Sequence, residues 1–244
     1  MKPLLETRAL GMRFGGVLAV DNVNLAVAEG ELRCLIGPNG AGKSTFFKCL
    51  TGQLKPSAGR IFWRGRDITG AETFSVARLG VGIKTQVPAL FDRLSVREGV
   101  VLALRRAYSE TEARARAMAA LARLAIAHLA GVQVGSLAHG QRQLVELAMV
   151  VAPEPDLLLL DEPTAGMSAE ETRRAAELIL ELNRRHAIIV VEHDMQFIRS
   201  IARTVTVFHQ GRVLMEDSVE CVLADPRVRD VYLGKSAERA PVPA

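Results

Sequence analysis

The run Gly37-Pro38-Asn39-Gly40-Ala41-Gly42-Lys43-Ser44-Thr45 follows directly on the apolar stretch Leu32-Arg33-Cys34-Leu35-Ile36, and nothing else in the chain restricts the fold as tightly. It matches G-x-x-x-x-G-K-[ST]. A buried strand stops at Gly37 and a helix begins near Gly42. Glycines in such a loop let successive backbone N–H groups converge on phosphate oxygens, and the helix adds the positive end of its dipole. Lys43 is then placed to reach the β- and γ-phosphates of a nucleotide, and Ser44 offers a hydroxyl to Mg2+. A glycine-rich turn with no ligand is the alternative; the strand–loop–helix context disfavours it.

A second constellation lies at Leu157-Leu158-Leu159-Leu160-Asp161-Glu162, where a wholly apolar run ends in two acids. Neighbouring strand residues point to opposite faces, so the two carboxylates have different tasks. Beside a phosphate loop, the acid ending the adjacent strand holds Mg2+ through water, which suits Asp161. Glu162 then faces the γ-phosphate and orients or deprotonates a water. Asp-Glu-Pro is also a good strand exit, and a helix N-cap is the competing role.

Short apolar strands, Leu157–Leu160 and Ile188–Val191, each flanked by a long helical pattern, predict a parallel sheet covered on both faces. The N-terminal third predicts short strands at Leu18-Ala19-Val20, Val23–Val27 and Ile61-Phe62-Trp63, the last leading into a turn at Arg64-Gly65-Arg66-Asp67. From Ser95 to about Leu129 the chain is rich in Ala, Leu and Arg, with capping boxes at Ser95-x-x-Glu98 and Ser109-x-x-Glu112, and predicts helices. Another box at Ser168-Ala169-Glu170-Glu171 opens a helix to about Arg185. Composition narrows the function. The chain has 244 residues and a net charge of +4, too mild to argue for DNA binding, and its 5% aromatic content disfavours stacking platforms for single strands. Cys34, Cys49 and Cys221 cannot all pair within the chain, which suits a reducing compartment. No apolar run reaches the roughly 18–20 residues that span a bilayer, and Met1–Arg8 lacks the apolar core of a secretory signal.

Taken with what lies between and after them, these motifs resemble the nucleotide-binding subunits of ATP-binding-cassette (ABC) transporters. Leu137-Ala138-His139-Gly140-Gln141 resembles the family's Leu-Ser-Gly-Gly-Gln signature; Gln86 sits like the Q-loop glutamine; Ala165-Gly166-Met167-Ser168 is placed like the D-loop; His193, in Val191-Glu192-His193-Asp194, like the switch histidine; and Phe14 like the ring that lies against adenine. The resemblance implies an α/β P-loop NTPase (RecA-like) fold: a parallel-sheet core, an N-terminal antiparallel β-subdomain, and a helical signature-bearing subdomain inserted at about 87–150. Residues 1–234 would form one cassette domain, with a frayed tail at 235–244. It implies ATP and Mg2+ as cofactors. Lys43, Gln86, Glu162 and His193 would be catalytic, and Ser44, Gln86 and Asp161 would hold the metal. Phe14, residues Gly37 to Thr45 and the signature Leu137 to Gln141 would bind nucleotide, the signature across a dimer interface.

With one phosphate loop and one signature, the chain needs a second cassette, identical or not, to complete two sites. The resemblance further implies permease subunits in the membrane, an extracytoplasmic solute-binding protein acting indirectly, no nucleic-acid partner, and a peripheral place on the cytoplasmic face of the inner membrane. Ala138 loses the usual serine hydroxyl, but the backbone donors remain, and Ala there is similar to the branched-chain amino-acid importer branch. The segment Gly30 to Gly37, the His139 variant, the end from Asp225 to Gly234 and the short Gln86–Leu137 interval look like the urea-type member of that group. The expected function is therefore an importer ATPase for urea, short amides or branched-chain amino acids. A soluble cassette ATPase on nucleic acid or ribosomes usually carries two cassettes or a long insertion, and this chain has neither. A non-hydrolysing module is opposed by the set Lys43, Asp161, Glu162 and His193. Three lesser features complete the reading. His139 is expected to be a hydrogen-bonding loop residue, Phe91 belongs either to the core or to a membrane partner's docking face, and Arg105, Arg106, Arg114, Arg116 and Arg123 give the helices a basic surface.

Overall fold

Strands buried on both faces sort their side chains by parity, and that sorting divides the core in two. The computed structural model describes residues 2–86 and 89–233. Strands β1 (Leu5–Phe14) and β2 (Val17–Val27) precede β3 (Leu32–Ile36), which passes through the phosphate loop into helix α1 (Lys43–Leu50). Strands β4 (Ala58–Trp63) and β5 (Arg66–Asp67), helix α2 (Thr73–Arg78) and strand β6 (Val81–Lys84) lead to three helices: α3 (Val96–Leu104), α4 (Glu110–Arg123) and α5 (His139–Val151). Then β7 (Leu157–Asp161), α6 (Ala169–Asn183), β8 (Ala187–Val191), α7 (Met195–Ile201), β9 (Thr204–His209), β10 (Arg212–Asp217), α8 (Val219–Ala224) and α9 (Pro226–Leu233) complete the order.

The larger sheet has the order β10-β9-β3-β8-β7-β6, parallel except for β10 at the edge. Leu158, Leu160, Ile188 and Val190 face the core shared with α3 to α7, whereas Leu157, Leu159, Ile189 and Val191 face α1 and the smaller antiparallel sheet, β2-β1-β4-β5. Both faces are dry, so the strands read as unbroken apolar runs. The fold is the α/β P-loop NTPase architecture that the motifs imply. No helix among the described residues is long and apolar enough to cross a membrane.

Several local expectations need correction. The strand that ends in Asp161 is not the neighbour of β3, because β8 lies between them. Leu18–Val20 and Val23–Val27 belong to one strand: Asn22 takes a left-handed φ of 52° inside β2, so Asp21-Asn22 is an irregularity in the ladder and not a turn. The four-residue turn after Trp63 shrinks to Arg64-Gly65, and Arg66-Asp67 pairs with β4. The boxes at Ser95 and Ser168 close reciprocally, but at Ser109 only the hydroxyl acts, accepting from the Glu112 N–H. The basic helical face is largely exposed, as expected, with Glu110 pairing with Arg114 and Arg105, Arg116 4.0 Å over the Tyr108 ring, and Arg123 half-buried, near Glu154 and Glu181. Phe91 is 57% exposed, which removes it from the core. The tail at 235–244 lies outside the described residues.

Candidate functional site

Because β3, β8, β7 and β6 run parallel, their carboxyl ends open on one edge, where α/β sheets bind ligands. The phosphate loop leaves β3, Glu192 and His193 leave β8, Asp161 and Glu162 end β7, and Gln86 follows β6. Four segments far apart in sequence thus meet at one rim.

The loop is held by close backbone packing. A side chain at Gly37 would overlap the Phe208 carbonyl, and one at Gly42, where φ is 99°, would overlap the Ala19 carbonyl. Replacing Gly42 by Ala therefore combines left-handed strain with a backbone clash. The expected cost is about 3 kcal/mol, a fall in Tm of roughly 6–12 °C for a chain of this size. Thermal unfolding checks it; a Tm within a degree of the wild type would mean that the loop does not hold this shape.

Gly42 caps α1 without a side-chain bond, and the first turn carries no acid, so its N–H groups face a site that favours an anion. Lys43 is buried, and its ammonium donates to Gly37 O at 2.5 Å and Pro38 O at 3.0 Å. Burial lowers its pKa, against the pull of Glu162 and Asp161. A desolvated cation held by neutral carbonyls gains strongly from a phosphate. Asp161 shows the reverse deficit: its carboxyl is pushed up to about 6, first by burial and then by Glu162. Left alone, such a group costs stability as pH rises from about 4 to about 6, because the folded state holds its proton longer than the unfolded one. A divalent cation removes that cost, so the site fits Mg2+, whose usual ligands are a carboxylate, a hydroxyl, waters and substrate phosphates. No cluster of three or more His, Cys, Asp or Glu among the described residues forms a metal cage, and Mg2+ does not need one.

Around Glu162 the structure joins three of the expected residues. Gln86 donates its amide to Glu162 Oε2 at 2.8 Å, and His193 Nδ1 lies 3.6 Å from Glu162 Oε1. Glu162 takes φ 45°, a strained conformation for this residue, and its N–H donates to Val191 O at 2.9 Å. Sequence reasoning missed the brace behind this trio. Glu192, 2% exposed, accepts from Thr164 Oγ1 at 2.6 Å, from the Thr164 N–H at 3.2 Å and from the His193 N–H at 3.1 Å. An acid abutting the apolar run Ile188–Val191 repeats the pattern at Asp161, and that was the available signal. A second missed pair is Lys84 and Glu146, both buried and 3.2 Å apart. The other oxygen of Glu146 accepts from the Ala89 N–H at 3.2 Å.

The signature residues stand apart. Ala138 caps α5 without a side-chain acceptor; Gln141 reaches back to its N–H at 3.0 Å. His139 makes the expected hydrogen bond, to Ala165 O at 2.9 Å, but from the first residue of α5 and not from a loop. Among the described residues, no hydrogen bond or ion pair links Leu137–Gln141 to the phosphate loop. Phe14 ends β1 and is 46% exposed.

Residues 20–165 match the ABC transporter family. The chain is 38% identical over 255 positions to LivG, the high-affinity branched-chain amino acid transport ATP-binding protein of Escherichia coli, covering 96% of this chain and 99% of that protein. Its fold matches the ADP conformation of MJ1267, an ATP-binding cassette of an ABC transporter, with a TM-score of 0.86 and 26% identity over 96% of this chain and 100% of that one. The dimeric structure of MJ0796, a bacterial ABC transporter cassette, gives 0.80 and 25% over 88% and 98%. Motif order, fold and similarity agree: the chain belongs to the ABC transporter family as an ATP-binding subunit, an ATPase that takes ATP with Mg2+ and couples its hydrolysis to transport.

Proposed function

We propose that this cassette powers an importer of branched-chain amino acids, working as one of a pair beneath permease subunits at the cytoplasmic face of the inner membrane. An extracytoplasmic binding protein would present the solute. The solute class is carried by the 38% identity to LivG over 96% of this chain, and the ATPase chemistry by the meeting of Gln86, Glu162 and His193 at the sheet edge that also holds Lys43. In this reading Lys43 binds the β- and γ-phosphates, Phe14 covers the adenine, and Ser44, Asp161 and Gln86 hold the metal. Mg2+, when bound, supplies charge neutralisation on the phosphates. Glu162 accepts the proton of the water whose oxygen attacks the γ-phosphorus as the bond to the β-phosphate oxygen breaks. His193 contacts the γ-phosphate, and Gln86 holds Glu162 in place. The loop Leu137–Gln141 serves the partner's nucleotide, which agrees with its separation from this chain's own phosphate loop.

A second reading, urea or short amides as solute, is favoured by the compact Gln86–Leu137 interval. The alignment with LivG spans 255 positions against 244 residues here, so LivG carries residues that this chain lacks. Solute-stimulated ATPase of the reconstituted transporter decides: stimulation by valine, leucine or isoleucine supports the first reading, and stimulation by urea alone supports the second.

Coupling to the permease follows from the segment after Gln86. Val87 and Pro88 lie outside the described residues, but the chain beyond them is bolted to the signature region. Asp92 pairs with Arg142 at 2.8 Å, Gly135 N donates to Asp92 O at 3.0 Å, and Val134 N to Leu94 O at 3.0 Å. Phe91 protrudes from this clamped turn. Phe91→Ala is expected to leave basal ATPase of the isolated subunit within about threefold and to cut solute-stimulated ATPase of the complex by about tenfold or more, roughly 1.4 kcal/mol of coupling. Equal losses in both assays would move the coupling role elsewhere.

A further inference from the structure

One imidazole ties the signature loop to the turn that follows the catalytic carboxylate. His139 Nε2 lies 2.9 Å from Ala165 O. Ala165 in turn donates its N–H to Glu162 O at 3.2 Å. Glu162 is thereby gripped from both sides, since its own N–H is held by Val191 O. A residue at φ 45° keeps that strained backbone only while its surroundings enforce it.

The ring is set in place by its neighbours. A carbonyl oxygen only accepts, so Nε2 carries the proton and donates to Ala165. Gln143, 1% exposed, brings its amide within 3.3 Å of the same nitrogen. The amide packs against the ring edge and helps to fix its orientation. Gly166 leaves the space the ring needs, because a Cβ there would lie 2.9 Å from Nε2.

We infer that His139 couples the two nucleotide sites of the cassette pair. It fastens the loop that serves the partner's nucleotide to the turn that carries this chain's own Glu162. The inference rests on the composite-site reading above. Nucleotide engaging the signature loop pulls, through His139, on the Ala165 carbonyl, and the Ala165 N–H passes the shift to the Glu162 peptide. His139 is a positioning residue in this scheme and touches no reacting atom of its own site.

The test is the ATP dependence of turnover by the full-length chain, wild type against His139→Phe and His139→Gln. Phe keeps the bulk and removes the donor; Gln retains an N–H within reach of Ala165 O. The wild type is expected to show a Hill coefficient approaching about two, the limit for two sites. His139→Phe should fall to about one with kcat reduced roughly tenfold, and His139→Gln should recover most of both, with all three proteins melting within about 2 °C of one another. A His139→Phe protein with the Hill coefficient and kcat of the wild type overturns the coupling. So does a wild type hyperbolic in ATP, or equal losses in both variants accompanied by a lower Tm, which would reduce His139 to packing. A wild-type chain that pairs with ATP bound yet ignores any change at 137–141 would overturn the composite-site reading itself.

Discussion

Glu162→Gln should bind ATP, pair, and then stall. The substitution keeps size and shape, and its amide oxygen still accepts from Gln86 as Glu162 Oε2 does now at 2.8 Å. What disappears is the proton acceptor and the negative charge facing His193. General-base removal is worth about 100- to 10,000-fold, so kcat is expected to drop by at least about 100-fold while nucleotide affinity is kept or rises. Size-exclusion chromatography with ATP and Mg2+ should show a dimer peak that the wild type, consuming its nucleotide, does not hold. A monomer throughout, with hydrolysis unimpaired, would take the base role away from Glu162.

Lys43→Ala acts one step earlier. The Lys43 ammonium is the buried cation of the phosphate loop, and in the folded chain it also clips together the Gly37 and Pro38 carbonyls. Its removal takes away charge-assisted bonds worth about 1.5–3 kcal/mol each and leaves the loop carbonyls without their donor. ATP affinity is expected to weaken by about 100-fold or more, roughly 2.7 kcal/mol. Equilibrium binding with a fluorescent ATP analogue reads the loss directly. An unchanged affinity would sink the phosphate-loop assignment, whatever the ATPase rate did.

Where chemistry is written in contiguous residues, the sequence was legible. Gly37–Thr45 holds its turn, and Leu157–Glu162 its strand and strand exit, within ten residues. Buried parallel strands announce themselves because both faces are apolar. The failures have equally local causes. Strand β1 escaped because its pairing with β2 shifts register between Thr7 and Leu10 and twice more, with Ala9 at φ 49°, so no clean alternation survives. Strand β2 reads as two strands because Asp21-Asn22 resembles a turn, whereas the Asn24 side chain accepts from the Ala9 N–H at 2.8 Å and holds the irregularity inside the sheet. Strand order is not local at all: nothing near Asp161 says that β8 will slide between β7 and β3. Glu192 was overlooked for the same reason, since its main partner, Thr164, lies 28 residues away.

The left-handed backbone at Glu162 has a consequence for anyone engineering this chain. Glycine or asparagine tolerates that φ more readily than a glutamate does, and residues held at such angles store about 1–3 kcal/mol of strain. A selection for heat resistance alone, blind to turnover, should therefore enrich Gly or Asn at position 162 and yield sturdier, inert cassettes. One of the left-handed non-glycine residues thus sits at the position proposed for the general base, so screens for durable variants must score hydrolysis in the same round or they will discard it.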